Sequence, residues 1–319
     1  MMPSDSREAR TGRREFLAWC SAAAASGVLS GGSATAADRS SGPLPTVTLG
    51  RHRISRLVVG SNPLSGYSYL GREMDQQMRD YFTPQRTVAF LQQCEREGIN
   101  THQFSAATNA LEVYRTLREQ GSKMHLIGLY ANRADIPGVV EAVGPIGIAH
   151  HGGVTDTLFR EGRSGEVRDF TKAVHDRGML AGVSAHNPDC IRRVADEGWD
   201  VDFFMTCFYH ITRKEPPADA AARLPVLEGP DVGYVFYQSD PPAMCEVIRQ
   251  VRQPCLAFKI LGAGRRCASQ EAVREAFRFT YTNIKPGDAA IVGMYPRHFN
   301  QVGANGGYAR QLAADPTRG

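Results

Sequence analysis

Residues 146–151, Ile146-Gly147-Ile148-Ala149-His150-His151, form an apolar run of strand length that ends in two histidines. A helix-patterned stretch at 165–177 follows, and then a second apolar run, Leu180-Ala181-Gly182-Val183-Ser184. Neither run has the strict alternation of a strand with one wet face, so each reads as a strand buried on both sides. The same unit recurs along the chain. Strand-type runs fall at 57–60, 99–104, 125–129, 146–150, 180–184, 201–205, 256–260 and 289–293. Helical patterns lie between them at 85–97, 110–119, 165–177, 188–197, 242–252, 269–282 and 298–313. Thr83-Pro84 opens the first of these helices as N-cap and N1, and Gly98 closes it. Eight buried strands alternating with helices are the count of an α/β fold of the (β/α)8-barrel type. Gly262-Ala263-Gly264 follows a strand but lacks the third glycine of a dinucleotide fingerprint, which argues against a doubly wound sheet.

The front of the chain has a different character. Gly12-Arg13-Arg14-Glu15-Phe16-Leu17 precedes a weakly apolar run at 18–29 and the small residues Ala34-Thr35-Ala36-Ala37. Paired arginines, an apolar stretch too short to span a bilayer, and a small-residue cleavage site have the layout of a cleaved export signal. The Arg-Arg-x-Phe-Leu core resembles the twin-arginine signal. Residues 1–37 therefore read as a twin-arginine signal peptide, 38–45 as a linker, and 46–319 as a single barrel domain. The resemblance implies the twin-arginine export machinery as a partner and a periplasmic or extracellular location for a chain that folds before it leaves. Trp19 before Cys20 is too bulky for a lipoprotein cleavage box, and no second apolar stretch approaches spanning length, so no permanent membrane anchor is expected. The formal net charge of +4 falls to +3 once the signal is removed, with no basic block, which argues against nucleic acid as a partner. Cys94, Cys190, Cys207, Cys245, Cys255 and Cys267 are scattered with no C-x-x-C pair, so neither a disulfide framework nor a zinc ribbon is expected.

One stretch breaks the strand–helix rhythm. Residues 211–239 contain Pro216, Pro217, Pro225 and Pro230 and no clean periodicity, and they read as a lid-like insertion after the sixth strand. In a barrel, chemistry gathers at the C-terminal strand ends. Those ends carry Ser61 and Asn62, His102 and Gln103, Tyr130, His150 and His151, then Ser184, His186 and Asn187, then Cys207, Tyr209 and His210, and finally Lys259 and Tyr295. Five of the nine histidines fall there, so their convergence on one mouth is expected. Lys259 sits in the otherwise apolar run 255–261, and a lysine there either pairs with a carboxylate or has a lowered pKa suited to base or Schiff-base work. Structural readings stand beside these: a histidine at a strand end can be a hydrogen-bonded scaffold residue, and Cys207 lacks a dedicated base in the sequence and reads as an inert thiol.

The run Leu49-Gly50 through Ile54-Ser55-Arg56-Leu57-Val58-Val59-Gly60 resembles the opening hairpin and first strand of the aldo/keto reductases. Gly98-Ile99-Asn100, Ile148-Ala149-His150-His151 and Gly182-Val183-Ser184 resemble that family's entries to strands two, four and five. Ile291-Val292-Gly293 with Gln301 and Asn305 resembles its strand eight and the helix that holds the cofactor's adenosine phosphate end, with Arg297 placed to meet a phosphate. The resemblance spans most of 46–312 and implies an aldo/keto reductase-like barrel. The departures fall on the catalytic tetrad. Gln103 and Thr108 stand where the family has Asp and Tyr, Leu129-Tyr130 replaces its lysine, and only the histidine remains, as His150 or His151.

Three readings follow, two of them enzymes. One is an exported enzyme acting on a small polar carbonyl or sugar-type substrate, with NAD(P) as the cofactor that the resemblance implies. The other is a non-redox lyase, isomerase or hydrolase using histidines and Lys259, with a divalent metal on His102, His150 and His186 as its option; a non-catalytic binding barrel is the third reading. In either enzyme the catalytic candidates are His102, His150, His151, Tyr209 and Lys259. The binding candidates are Asn62, Gln103, Tyr130, Ser184, His186, Asn187, Arg297, Gln301 and Asn305.

Overall fold

The computed structural model describes residues 42–105, 111–215 and 233–313. The expected signal at 1–37, the first half of the linker at 38–45, Thr108 and the middle of the expected lid at 211–239 lie outside the described residues.

Two short strands, β1 (Thr46–Leu49) and β2 (His52–Ser55), pair antiparallel across a turn at Gly50, whose positive φ of 56° suits glycine. Eight parallel strands follow: β3 (Leu57–Gly60), β4 (Thr101–Ser105), β5 (His125–Tyr130), β6 (Gly147–His150), β7 (Leu180–Ala185), β8 (Phe203–Cys207), β9 (Cys255–Phe258) and β10 (Ala289–Gly293). They pair in chain order, and β10 returns to β3 through Ile291 opposite Val58 and Val292 opposite Val59. The result is a closed (β/α)8 barrel.

The helices around it are α1 (Arg72–Tyr81), α2 (Pro84–Arg96), α3 (Leu111–Glu119), α4 (Ile136–Val143), α5 (Gly152–Arg160), α6 (Gly165–His175), α7 (Pro188–Asp196), α8 (Asp240–Gln250), α9 (Gln270–Asn283) and α10 (Gln301–Ala313). Thr83 caps α2 as expected, its hydroxyl accepting the backbone N–H of Arg86, and Gly98 turns the chain beyond it with φ of 84°. Three helices were not expected. Only Met78 of α1 is buried, so it has no apolar stripe to read; α4 opens on Pro137-Gly138 and α5 on Gly152-Gly153, pairs that read as breaks. The last helix starts at Gln301 rather than at 298, because Asn300 caps it by accepting the N–H of Gly303.

The strands separate two cores. Val58, Ile127, Ala149, Phe203, Met205, Leu256 and Ile291 fill the barrel axis, and Val47, Leu49 and Ile54 of the hairpin join that cluster. Gly50 lies against Leu180 at the start of β7, so the hairpin plugs the N-terminal end. Val59, Ile148, Ala181, Val183, Ala185, Phe204 and Ala257 point the other way, into the larger core beneath the helices. Glycines make room for the largest axial ring. A Cβ on Gly182 would stand 2.5 Å from the ring of Phe203, and one on Gly147 would stand 3.2 Å from it.

The seam between first and last strands is pinned by Arg56. Its buried guanidinium donates to the carbonyls of Asp288 (3.1 Å), Lys285 (3.3 Å) and Ala313 (2.6 Å), and lies 4.9 Å from the ring centre of Tyr281. The fully buried carboxylate of Asp288 accepts the N–H groups of Cys255 and Lys285 in turn. No helix among the described residues is long and apolar enough to cross a membrane.

Gly182→Ala is expected to destabilise the barrel by about 1–3 kcal/mol, since the added carbon overpacks a sealed core. Urea denaturation should show this, and Phe203→Leu in the same chain should recover part of the loss.

Candidate active site

Which side chains reach the mouth is decided by strand alternation, in which successive residues face opposite sides. Ile148 faces the helices and Ala149 the axis, so His150 turns outward and His151 inward. His150 is buried against Phe170 of α6, ring centres 4.9 Å apart, and its Nδ1–H donates to the hydroxyl of Thr155 at 2.7 Å. His102 is also in the helix layer: Nδ1–H donates to the Val59 carbonyl and Nε2 accepts from the Tyr114 hydroxyl, each at 3.0 Å. Burial above all lowers both imidazoles to a pKa of about 4, so both are neutral. The expected gathering of five histidines is therefore corrected to three: His151, His186 and His210. The metal set His102, His150 and His186 is corrected with it, because two of its members face away from the third. Among the described residues, no three His, Cys, Asp or Glu side chains group to hold a metal ion.

The centre of the mouth is an Asp–His pair. Ala181, Val183 and Ala185 face the helices, which leaves Ser184 and His186 on the inner side of β7. His186 Nδ1 donates to Asp156 Oδ2 at 2.9 Å, leaving Nε2 as the free lone pair. Asp156, on α5, also accepts the backbone N–H groups of His186 and Asn187 and the hydroxyl of Thr212 (2.8 Å). Burial works to raise the Asp156 pKa, but the bonds from His186, Thr212 and Asn187 outweigh it and hold it below the usual carboxylate value. Burial lowers His186, helped by the charge of Lys259, and the Asp156 bond offsets only part of this. At neutral pH the pair is a carboxylate beside a neutral imidazole with a fixed tautomer.

Lys259 supplies a positive charge beside this pair. Its Nζ lies 4.7 Å from the ring centre of Tyr69 and 4.9 Å from that of Phe258. Neither expected arrangement of this lysine is found. It has no carboxylate partner among the described residues. Burial acts to lower its pKa, but Tyr69, then Cys207 and Tyr234, more than offset that, and the group stays an ammonium. Tyr69 and Lys259 both have left-handed backbones, with φ of 61° and 59°, which costs a non-glycine residue about 1–3 kcal/mol. Tyr234 packs on Tyr69 with ring centres 5.3 Å apart, and its hydroxyl lies 3.4 Å from that of Tyr67. His151 stands on the rim; the protein packed around its ring, and then the charges of His186 and Lys259, lower its pKa. Cys207 is a neutral thiol, pushed up to about 12 chiefly by burial.

The remaining candidates are placed as follows. Gln103 is buried and donates to the Phe104 carbonyl, and Tyr130 packs with Phe104 in the helix layer. Asn62 begins the turn after β3, where its carbonyl accepts the N–H of Tyr67, and Asn187 caps α7 through Asp189. Tyr209 is fully buried, accepts from Arg266 at 3.1 Å and packs on Phe236. A cleft of about 490 Å³ opens beside the pair, with Asp156, Asn187, His210, Thr212, Arg213 and Lys214 among its lining. Sequence reasoning missed Asp156, Thr212 and Tyr69. Asp156 left no trace in the sequence, because α5 opens on Gly152-Gly153 and was not itself expected. In the structure it shares the buried face with Gly152, Thr155 and Leu158, an odd place for an acid.

The residues that the resemblance assigns to a nicotinamide dinucleotide lie around the end of β10 and on α10. Gln301 is spent accepting the backbone N–H of Tyr295 (2.8 Å), and exposed Arg297 donates to the Tyr295 hydroxyl (3.3 Å). Asn305 is buried within α10.

No family model matches the chain, and no curated protein sequence matches it. Among solved structures, a glycerol dehydrogenase from Gluconobacter oxydans aligns over 83% of this chain and 89% of its own, with TM-score 0.53 and 12% identity. A putative 2,5-diketo-D-gluconic acid reductase B (TM-score 0.49, 9% identity, 83% of this chain and 85% of that one) lies further off. So does a truncated 3-deoxy-D-arabino-heptulosonate 7-phosphate synthase from Thermotoga maritima (TM-score 0.44, 16% identity, 85% and 90%). At 12% identity the likeness to the glycerol dehydrogenase is one of fold. The resemblance to aldo/keto reductases therefore holds at the level of the barrel.

His102 and His150 make the fold acid-sensitive. An unfolded histidine takes up its proton near 6.5, whereas these two refuse it until about 4. Their contribution is thus whole above pH 6.5 and is lost as pH falls from there towards 4, by up to about 3 kcal/mol for each. Urea denaturation across this range should show a shallower decline for His102→Gln than for the parent chain.

Proposed function

We propose that this chain is an enzyme that moves a proton at a small polar substrate of the carbonyl or sugar type, held at the C-terminal mouth of the barrel. The carrying observation is the buried Asp156–His186 pair, with His186 Nε2 unengaged and Lys259 charged beside it. Asp156 fixes the tautomer, so the lone pair that takes the proton is always on Nε2. A proton beside a carbonyl passes to that nitrogen, negative charge develops on the carbonyl oxygen, and the Lys259 ammonium stabilises it. Passage of the adjacent hydroxyl proton to the charged oxygen and return of the carbon proton to the former carbonyl carbon gives an isomerase. Collapse of the enolate into a carbon–carbon double bond, with a leaving group departing from the next carbon with its bonding pair, gives a lyase. The free lone pair of a tautomer-fixed imidazole favours proton transfer over hydride transfer. Read with the twin-arginine signal at 1–37, this enzyme works outside the cytoplasm.

Incubating the purified chain in D2O with small hydroxyketones and aldoses, followed by proton NMR, tests the proposal. Deuterium is expected to enter the carbon beside the carbonyl. His186→Gln should slow this about 10²–10⁴-fold. The rate should fall only below pH 6.5, since His186 keeps its base form to a lower pH than a free histidine. If the chain instead exchanges nothing and oxidises glycerol-like alcohols with a nicotinamide nucleotide, the redox reading replaces this one.

A further inference from the structure

We infer that the substrate carries an oxyanion, a carboxylate or a phosphate, and that the first turn of α5, Ser184 and Lys259 receive it. This deepens the reading above and takes from it only the location of the site.

Helix α5 begins at Gly152, directly after the inward-facing His151, and runs nine residues. Its first N–H groups, those of Gly152 and Gly153, have no partner within the helix, and His151 gives no side-chain cap. The positive end of the helix therefore opens on the mouth. A second, independent feature lies against it. Ser184 is fully buried and its hydroxyl has no hydrogen-bond partner. A Cβ on Gly152 would stand 2.9 Å from that oxygen and 3.2 Å from Cε1 of His186. The helix start, the unpartnered hydroxyl and the free edge of the imidazole thus meet at one place. Thr206 is also unpartnered, but it pairs with helix-facing Ala185 and belongs to the outer core.

The charges agree with this placement. The carboxylate within the cluster is Asp156, and its two oxygens are taken up by His186, Asn187 and Thr212. Lys259 has no ion pair among the described residues, and Asp156 is directed at His186, Asn187 and Thr212, so no carboxylate is paired with this half-buried ammonium or with the helix N-terminus. A half-buried charge is costly to leave unpaired, and a ligand that brings the missing negative charge recovers that cost. A hydroxyl donor, two backbone N–H donors and an ammonium form the set that a carboxylate or a phosphate accepts from.

The test uses full-length protein at low ionic strength, titrated with inorganic phosphate (followed by 31P NMR) and, separately, with 13C-labelled acetate. Saturable binding of at least one anion is expected, with the tighter of the two naming the source of the oxyanion. Lys259→Met should weaken it roughly tenfold or more, and Ser184→Ala by about threefold or more, both with unchanged circular dichroism. Should Lys259→Met fail to fold, Ser184→Ala and Gly152→Ala carry the test alone. His186→Gln should leave anion binding within about twofold while removing proton exchange. Saturable binding of neither anion, or binding that survives both Lys259→Met and Ser184→Ala, overturns the inference. Exchange on neutral sugars that phosphate and acetate do not inhibit would also overturn it and leave the acid–base reading intact. Anion binding without any exchange would do the reverse.

Discussion

Everything at the mouth of this barrel hangs on one buried carboxylate. Asp156 is ionised in a place that disfavours charge, and it is held there by N–H and hydroxyl donors from two other segments. His186 and Asn187 come from the end of β7, and Thr212 from the chain beyond β8. A single side chain on α5 therefore sets the imidazole's tautomer, fixes how the fifth barrel strand ends, and ties down the root of the segment at 211–215. Replacing it by an apolar residue would strand several donors at once, which is why an acid on the inner face of a helix is tolerated here.

Much of the architecture was legible in the sequence, for a physical reason. Strands buried on both faces must be continuously apolar, and the eight short runs found on that ground coincide with β3 to β10 to within about two residues. Helices with a cap and an apolar stripe, such as α2, were equally readable. The ones that escaped, α1, α4 and α5, either bury almost nothing or open on glycine and proline.

The candidate site was legible in residue type and not in direction. A strand end carries two adjacent histidines at 150 and 151, and a shift of one residue exchanges which of them reaches the mouth. His102 is a similar case, since its neighbours Val59 and Tyr114 satisfy both ring nitrogens on the outer side. Asp156 and Tyr69 come from a helix and a loop whose approach to the mouth depends on three-dimensional closure. The facing pair of left-handed residues, Tyr69 and Lys259, belongs to the same class: nothing in their identity announces the backbone they adopt, and the cation–π contact between them helps to hold it.

The Arg56 pin has a temporal side. The guanidinium beside the first barrel strand bonds to carbonyls at 285, 288 and 313, up to 257 residues further along the chain. Last strand and first strand can meet only after nearly the whole polypeptide exists, so the barrel cannot be completed piecemeal as it emerges from the ribosome. Its earlier strands spend their synthesis as an open sheet with two unsatisfied edges, and the closing event comes late and links the most distant parts of the chain. For such a molecule the vulnerable interval is the one before its final helix arrives, and its fate in the cell depends on what shelters those edges until then.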